Sequence, residues 1–229
     1  MAIPRASSSV ARAPILSAST ALPDGRCLVI DSASEACSVA LVDDGVVVDF
    51  RHELLGRGHA ERLVPLIAEL ADGGRATSIA VGCGPGSFAG VRIGVAAARA
   101  LALGWQVPAH GFSSLALVAA AAADDIAAAG GALVVMEGGH GQWFVQRFGA
   151  DLAPIVDLRS LLPDEAVREA DTLIVGNRAE AFVARRGLGT AVSALPDARA
   201  FVRLPTRALF AEPSPIYGRA PDAKPMTSA

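Results

Sequence analysis

The sequence predicts an α/β protein made of two similar halves. The chain opens with strand-like segments separated by short turns, continues in alternating strand and helix patterns, and starts a second strand pair near residue 132. Hairpins mixed with strand–helix units are typical of the α/β class. A length of 229 residues suits one or two domains with a substantial core.

The first half begins at Cys27 with three predicted strands. The segments "CLVID", "EACSVALV" and "VVVDFRHEL" are rich in apolar and β-branched residues. Asp44-Gly45 separates the second segment from the third and is a hairpin turn signal. We therefore expect the fold to open with an antiparallel meander.

A helix is predicted directly after this meander. "HAERLVPLIAELA" places four apolar residues at helical spacing, and Pro65 should kink the helix or lie in its first turns. Next come a buried strand, "SIAVG", a glycine-rich loop and a helix over 90–104. A strand over 107–111 and a helix that starts at Ser113 or Ser114 and ends near residue 128 complete this half.

The second half is predicted from the same kinds of pattern. Strands are expected over 132–137 and 142–148, joined by the turn "GGHG", and again in "DTLIVGN". "PDEAVREA", which opens with a proline and two acids, and "RAEAFVARR" are predicted helices. The chain ends in the proline-punctuated tail "PSPIYGRAPDAKP".

Composition narrows the classes of function. The formal net charge is −3 and no Lys/Arg-rich run occurs, so strong direct binding of nucleic acid is not indicated, although contact through a partner stays open. Cys27, Cys37 and Cys83 lack CxxC or Cys/His metal spacing. Buried, reduced thiols in a cytosolic protein are the expected state.

Residues 1–26 differ from the rest in being rich in Ser, Ala, Arg and Pro with Asp24 as their single acid. They lack the apolar region of a secretory signal, and a disordered extension or over-extended start is favoured over a transit peptide. No apolar run reaches the ~18 residues of a membrane span. The expected division is therefore an extension over 1–26, a first domain over 27–112, and a second domain with its tail over 113–229.

The glycine-rich stretch "VGCGPGSFAGVRIG", residues 81–94, raises the question of a phosphate site. Gly90 is followed by Val91 and Arg92, so the lysine and hydroxyl of a Walker A loop are missing. No acid occurs between residues 73 and 123, which excludes the ribose contact of a Rossmann fingerprint. Ser87 lacks the flanking glycines of a nucleophile elbow.

Two interpretations of this loop remain. Free N–H groups at a helix N-terminus, with Ser87 as cap and Arg92 in the first turns, favour an anion. The other interpretation is a tight strand-to-helix turn with close backbone packing. The following helix has a stripe of small residues and is apolar nearly all round, which fits either core burial or a surface for a partner helix. The stripe consists of Gly90, Gly94, Ala97, Leu101 and Gly104.

Three stretches together resemble the TsaB (YeaZ) family. They are "LVIDSASEACSVALVDDG", "GHAERLVPLIAEL" and "IAVGCGPGSFAGVRIGVAAARALALG", of which "GPGSFxGxRIG" is the specific element. The ending "YGRAPDAKP" is also similar to this family, whereas the match from residue 132 to residue 205 is loose. Cys83 and Ala89 depart from the usual pattern of the loop. The hairpin "MEGGHGQWF" departs as well, and the Asp and Arg that it lacks place any site at that hairpin in doubt.

The resemblance implies an actin/Hsp70/sugar-kinase-like (ASKHA) fold with two related α/β domains, each with a meander sheet and helices. Active members of that superfamily bind phosphate at D-x-G-[ST], and here Asp31-Ser32-Ala33-Ser34 lacks the glycine. The hydroxyls there are expected to cap turns or, as the second alternative, to hold an anion. The candidates for an anion or nucleotide site are Asp31, Ser32, Ser34, Gly84, Gly86 and Ser87.

The resemblance also implies a function and partners. The family is the non-catalytic partner of TsaD in the synthesis of threonylcarbamoyladenosine at position 37 of tRNAs that read codons starting with A. TsaD would hold the metal, a TsaE-like ATPase would dock on the complex, and a TsaC-like enzyme would supply the activated group. The expected location is therefore cytoplasmic, with tRNA reached only through the complex, no membrane contact, and ATP and metal on the partner subunits.

In this resemblance two helices bind TsaD, and the same face makes a homodimer when TsaD is absent. The residues expected on that face are His59, Leu63, Leu66, Ile67, Leu70, Gly90, Arg92, Gly94, Ala97, Ala98 and Leu101. TsaD carries a metal-binding H-x-x-x-H pair. No two histidines of this sequence stand four apart, so that pair is missing, and neither catalytic nor metal residues are assigned.

The alternative function is that of a small-molecule kinase or ATPase of the same fold. Its second phosphate loop would have to be "IVGN", which is too short to count. A peptidase is not supported, because the sequence has no nucleophile–base pair or zinc motif.

Overall fold

The computed structural model describes residues 25–218 and contains two five-stranded mixed sheets with helices packed on them. The α/β prediction is therefore confirmed. The predicted N-terminal extension, apart from its last two residues, and the tail from residue 219 onward lie outside the described residues.

The first sheet opens with the predicted meander. Strands β1 (Arg26–Asp31), β2 (Ala36–Asp43) and β3 (Val46–Leu54) are antiparallel neighbours. Asp44 and Gly45 have φ values of 46° and 78°, as a two-residue turn of this hand requires. β4 (Ser78–Gly82) and β5 (Ala109–Phe112) add to β1 in parallel and give the order β3-β2-β1-β4-β5.

Two helices cover one face of the first sheet. α1 (His59–Ala68) contains Pro65 in its interior, and α2 (Phe88–Trp105) follows the glycine-rich loop. The apolar side of each helix packs against Leu28, Ile30 and neighbouring residues of the sheet to form one continuous core cluster.

The helices on the opposite face lie between the two sheets. The predicted single helix is divided into α3 (Ser114–Ala121) and α4 (Ala123–Ala129), because Ala122 leaves helical geometry at φ −109° and ψ 27°. α3 is buried on almost every side. The largest core cluster joins residues of β1 and β2, α3 and the second sheet.

The second sheet has the order β10-β9-β6-β7-β8. Its strands are β6 (Gly131–Glu137), β7 (Trp143–Gly149), β8 (Arg159–Leu161), β9 (Leu173–Val175) and β10 (Thr190–Val192). β8 and β10 were not predicted, since neither is a buried apolar run like the equally short β9.

The helices of the second half are short. α6 (Ala179–Arg186) lies where it was predicted, but α5 covers only Pro163–Ala166. The prediction of a longer helix was wrong because the following residues turn to β7 instead, where Arg147 forms ion pairs with Glu169 and Asp171.

The chain then returns to the first half. Phe210 forms an isolated antiparallel β-bridge with Gly111 of β5. The amide of Ile216 donates to the carbonyl of Cys83 at 2.7 Å. We call residues 211–218 the strap, because this segment runs over the loop that precedes α2.

Candidate functional site

The glycine-rich loop packs backbone against backbone on the turn between β1 and β2. A Cβ atom at Gly86 would lie 2.0 Å from the carbonyl oxygen of Ala33, and one at Gly90 would lie 2.1 Å from that of Ser32. The amide of Ser87 donates to the Ala33 carbonyl at 2.6 Å. Close approach of two backbones therefore accounts for these two glycines.

The small-residue stripe of α2 faces the same turn. A Cβ atom at Gly94 would lie 2.6 Å from Oγ of Ser32, and that hydroxyl donates to the carbonyl of Gly90 at 2.9 Å. Gly104, by contrast, has open space around it. The stripe thus lets α2 approach its own sheet.

Asp31 is fully buried at the end of β1. Its carboxylate accepts hydrogen bonds from the hydroxyl of Ser114 at 2.7 Å and from the amide of Ala33 at 2.9 Å. Burial raises the pKa of Asp31 to about 6, although both hydrogen bonds favour its charged form. The side chain lies in the core and is not among the residues that line the adjacent cleft.

The hydroxyls near Asp31 form hydrogen bonds with backbone amides close to them in sequence. Ser34 accepts from the amide of Ala36 at 3.1 Å, and Ser87 caps α2 by accepting from the amide of Gly90 at 3.3 Å. The prediction that Ser87 caps this helix is confirmed. Ser34, Gly86 and Ser87 also line the cleft, whereas Ser32 and Gly84 are buried beneath it.

A cleft of about 700 Å³ separates the α2 end of the first half from the hairpin of the second half. Pro85, Val91 and Ile216 line its apolar side near α2, and Met136 and Phe144 line the opposite side. A cleft of this volume is large enough for a small molecule. The sequence did not reveal it, because its walls come from eight separate stretches of chain.

Arg92 lines this cleft and lies beside two aromatic rings. Its guanidinium lies 3.5 Å from the ring centre of Phe88 and 5.8 Å from that of Tyr217. It also donates to the Tyr217 hydroxyl at 3.2 Å. Together with Arg99, which donates to the carbonyl of Pro213 at 2.5 Å, Arg92 fastens the strap to α2.

The polar groups on the far wall are paired with one another. Glu137 forms an ion pair with Arg178, and its amide donates to the side-chain oxygen of Asn177 at 2.9 Å. Asn177 in turn donates to Glu35 across the cleft at 3.4 Å. Asn177, from the "IVGN" segment, therefore links the two halves.

The structure buries most of the residues that were expected to face a partner. The apolar residues of α1 point into the core, and Leu63 and Leu66 have no exposed surface. Helical spacing of leucines marks the side of the helix that covers its own sheet. The assignment of the whole set to a partner surface stays a prediction. The buried members of the expected set are His59, Leu63, Leu66, Ile67, Leu70, Gly90, Gly94 and Ala98.

The other members of the set lie elsewhere. Ala97 and Leu101 are half-buried between the helices, and Arg92 is exposed. The outward side of α1 and α2 nevertheless carries apolar side chains that the sequence analysis did not single out. Leu103 is 82% exposed and Val64 is 55% exposed. We call the exposed set the outer helix face; it consists of Val64, Pro65, Ala68, Ala96, Ala100 and Leu103.

Residues 25–218 can also be described with respect to metal binding and membrane spanning. No group of three or more His, Cys, Asp or Glu side chains in this part of the chain is placed to hold a metal ion. One helix there, α2, is long and apolar enough by length and composition to cross a membrane, which is weak evidence by itself.

Comparisons with known proteins agree with this architecture. A family model described as TsaD, tRNA N6-adenosine threonylcarbamoyltransferase, matches residues 51–185, more than half of the chain. The structure of YeaZ from Pseudomonas aeruginosa is similar with a TM-score of 0.66 and 27% identity, over 79% of this chain and 90% of that one.

Curated relatives match over a shorter stretch. The tRNA threonylcarbamoyladenosine biosynthesis protein TsaB of Escherichia coli is 46% identical over 99 residues, 41% of this chain and 42% of that protein. The protein of the same name from Haemophilus influenzae is 41% identical over 97 residues, 40% of this chain and 41% of that protein. The matched stretch thus spans about two fifths of the length of these relatives.

Two mixed sheets that each contain a meander, with a helix layer and a cleft between them, define an α/β protein of the actin/Hsp70/sugar-kinase-like class. The family match and the structural similarity then place it within that class. The chain belongs to the TsaB/YeaZ family.

Proposed function

We propose that this chain is a non-catalytic scaffold subunit that binds a TsaD-like partner. The complex would support transfer of a threonylcarbamoyl group to adenosine 37 of tRNAs that read codons starting with A. The family membership and the names of the curated relatives support this pathway. A TsaE-like ATPase, a TsaC-like enzyme and tRNA are further expected partners, and the cytoplasm is the expected location.

The outer helix face is the observation that carries the proposal. It joins exposed apolar side chains of two neighbouring helices, and its most exposed members are Leu103 and Val64. Exposed apolar surface of this kind is typical of protein contacts. The face replaces the buried residues of the original assignment but keeps the same two helices.

The burial and hydrogen bonding of Asp31 support a non-catalytic role for the chain. In a kinase or ATPase of this fold, the carboxylate after the first strand would face the bound phosphate. Here Asp31 is turned into the core and is satisfied by Ser114 and Ala33. The cleft of about 700 Å³ is the observation that keeps the small-molecule kinase or ATPase as an alternative.

Lysine substitutions on the outer helix face test the proposal. Leu103→Lys and Val64→Lys each place a charge on the contact surface, and we expect each to weaken co-elution with the TsaD-like protein of the same organism about tenfold or more. Leu188→Lys, at a similarly exposed leucine of the second half, is the matched control and should bind normally.

Two results would overturn the scaffold assignment. One is normal partner binding by both helix variants, and the other is an unchanged level of threonylcarbamoyladenosine in cells that lack the gene. The alternative is tested by ATP turnover of the isolated chain. Turnover that is lost in Asp31→Ala would favour the enzyme.

A further inference from the structure

Three exposed side chains form a cluster beside the cleft, at the start of α2 and on the strap. Phe88 is 59% exposed and Tyr217 is 42% exposed, and their ring centres lie 5.8 Å apart. The guanidinium of Arg92 lies over the Phe88 ring, 3.5 Å from its centre. All three side chains line the cleft. We call Phe88, Arg92 and Tyr217 the aromatic platform.

The charge of Arg92 has no counter-charge in the described part of the chain. Its hydrogen-bond partner among residues 25–218 is the neutral hydroxyl of Tyr217. No carboxylate within the same residues forms an ion pair with it, and α2 itself contains no acid. An arginine that stacks on an aromatic ring and keeps its full charge can bind an anionic ligand with a flat ring.

A second pair of arginine and phenylalanine in this chain shows the contrast. Arg199 lies 4.3 Å from the ring centre of Phe50, which is 41% exposed. The guanidinium of Arg199 is paired with the carboxylate of Asp197 at 2.6 Å, and neither Phe50 nor Arg199 lines the cleft. The aromatic platform therefore differs from this pair in having an unpaired charge and a cavity beside it.

Unpaired RNA bases match the chemistry of the platform. Such bases stack on aromatic rings and on guanidinium planes, and the phosphates that join them favour a free positive charge. Two carboxylates and two guanidiniums line the cleft, so their formal charges cancel; they belong to Glu35, Glu137, Arg92 and Arg178. The cleft is therefore not a channel for a length of RNA backbone, and contact with a single base is favoured.

The platform lies at one end of the exposed side of α2. The row of exposed residues on this helix begins with Phe88 and Arg92 and extends to Leu103. At 1.5 Å per residue, Phe88 and Leu103 are roughly 22 Å apart along the helix. A partner seated on the outer helix face would therefore leave the platform at the rim of the contact, next to an RNA that this partner holds.

We propose that the aromatic platform stacks on an unpaired base of the tRNA anticodon loop, with Arg92 beside the adjoining phosphate, in the complex with the TsaD-like subunit. This inference rests on the proposed function and adds a direct substrate contact to it. Adenosine 37 would occupy the active site of the partner, so the platform takes a different unpaired base of the same loop. Its three residues are positioning residues for the tRNA.

Binding of tRNA to the complex tests the platform. The probe is an unmodified transcript of a tRNA that reads codons starting with A, titrated onto this chain in complex with the TsaD-like protein of the same organism. Phe88→Ala should raise the dissociation constant about tenfold, because one stacking contact with a base is lost. Phe88→Trp should restore binding. Phe50→Ala, at the exposed ring beside Arg199, is the matched control and should bind like the wild type.

The salt dependence of binding tests the charge of Arg92. The slope of the logarithm of affinity against the logarithm of salt concentration counts phosphate contacts. Arg92→Gln should therefore reduce the magnitude of this slope by about one. Arg199→Gln should leave the slope unchanged, since Asp197 already neutralises that arginine. An unchanged slope for Arg92→Gln would overturn the phosphate contact.

Abasic transcripts locate the base on the platform. When the bases of the anticodon loop are removed one at a time, one position should weaken binding to the wild-type complex, and Phe88→Ala should add no further loss at that position. The proposal is overturned if Phe88→Ala weakens binding of every transcript by the same factor. It is equally overturned if Phe88→Ala leaves tRNA binding to the complex unchanged.

Co-elution of the two proteins separates this inference from the proposed function. Phe88→Ala should co-elute with the TsaD-like protein as the wild type does. Loss of co-elution in Phe88→Ala alone would make the platform a protein contact and would overturn the RNA contact only. A wild-type chain that forms no complex would overturn the proposed function, and the tRNA contact with it.

Discussion

Asp31 illustrates what a single buried residue contributes to this protein. Its carboxylate sits at the end of β1, where it is enclosed by the core and by Ser114. Two hydrogen bonds do not offset the loss of water around it, because its pKa is still raised to about 6. The residue is therefore a source of pH dependence in folding.

The pH dependence of Asp31 has a definite sign. An ordinary Asp in the unfolded chain has a pKa of 3.8, so between about pH 4 and pH 6 the folded protein binds more protons at this site than the unfolded chain. The contribution of Asp31 to stability therefore falls as pH rises through that range and is constant above it. The whole change is on the order of 3 kcal/mol, from the size of the shift.

Asp31→Asn removes this titration. The free energy of unfolding of the variant minus that of the wild type should increase from pH 4 to pH 6 and then level off, as urea melts across pH 4 to 8 would measure. A flat difference for Asp31→Asn across this range would mean that the buried carboxylate does not titrate there.

At the scale of elements, α2 has one side shaped by its own sheet and one side left open. Gly90 lies on the closed side, where an added Cβ atom would be 2.1 Å from the carbonyl oxygen of Ser32. Gly104 lies on the open side, where an added Cβ atom would have no neighbour within 4 Å. The same small-residue stripe therefore contains positions with opposite structural roles. Substituting alanine at each separates them within one helix.

Gly90→Ala should destabilise the protein by about 1–3 kcal/mol, because the carbonyl of Ser32 cannot move away without shifting the turn. Gly104→Ala should stabilise it by about 0.5–1 kcal/mol, since alanine is the better helix former and the site is open. Denaturant melts of both variants measure the two signs. Equal effects at the two sites would show that the loop does not pack on the turn as described.

Patterns in the sequence were sufficient for the long elements. The meander, its Asp44-Gly45 turn and α2 with its Ser87 cap follow from local chemistry, and the structure has them where they were predicted. The short strands β8 and β10 are only partly buried and lack the apolar run that revealed β9. The glycine stripe showed that something approaches α2 closely, but a stripe cannot tell whether that neighbour belongs to the same chain.

At the scale of the whole molecule, the two halves share one core. The largest apolar cluster takes Val29 and Ala40 from the first sheet, Leu117 from α3, and Val134 and Phe144 from the second sheet. Segments far apart in sequence build this core and the cleft beside it, which is why neither could be predicted from local patterns. A shared core also predicts that the halves unfold together.

Probes in opposite halves can test this cooperativity. Cys27, Cys37 and Cys83 report on the first half, where burial raises their pKa values to about 11, 12 and 12 and keeps the thiols unreactive in the folded state. Trp143 reports on the second half, once Trp105→Phe has removed the other tryptophan. In a guanidinium titration, thiol labelling and Trp143 fluorescence should have one common midpoint.

Substituting Phe201 tests the shared core directly by weakening the packing between the two halves. Its ring packs 5.7 Å from that of Phe112 between the two halves, so Phe201→Ala should cost about 3–5 kcal/mol and weaken the shared core. In that variant we expect the thiol and fluorescence midpoints to separate. Separate midpoints already in the Trp105→Phe background would show that the halves unfold independently and that the cluster between them is only a contact surface.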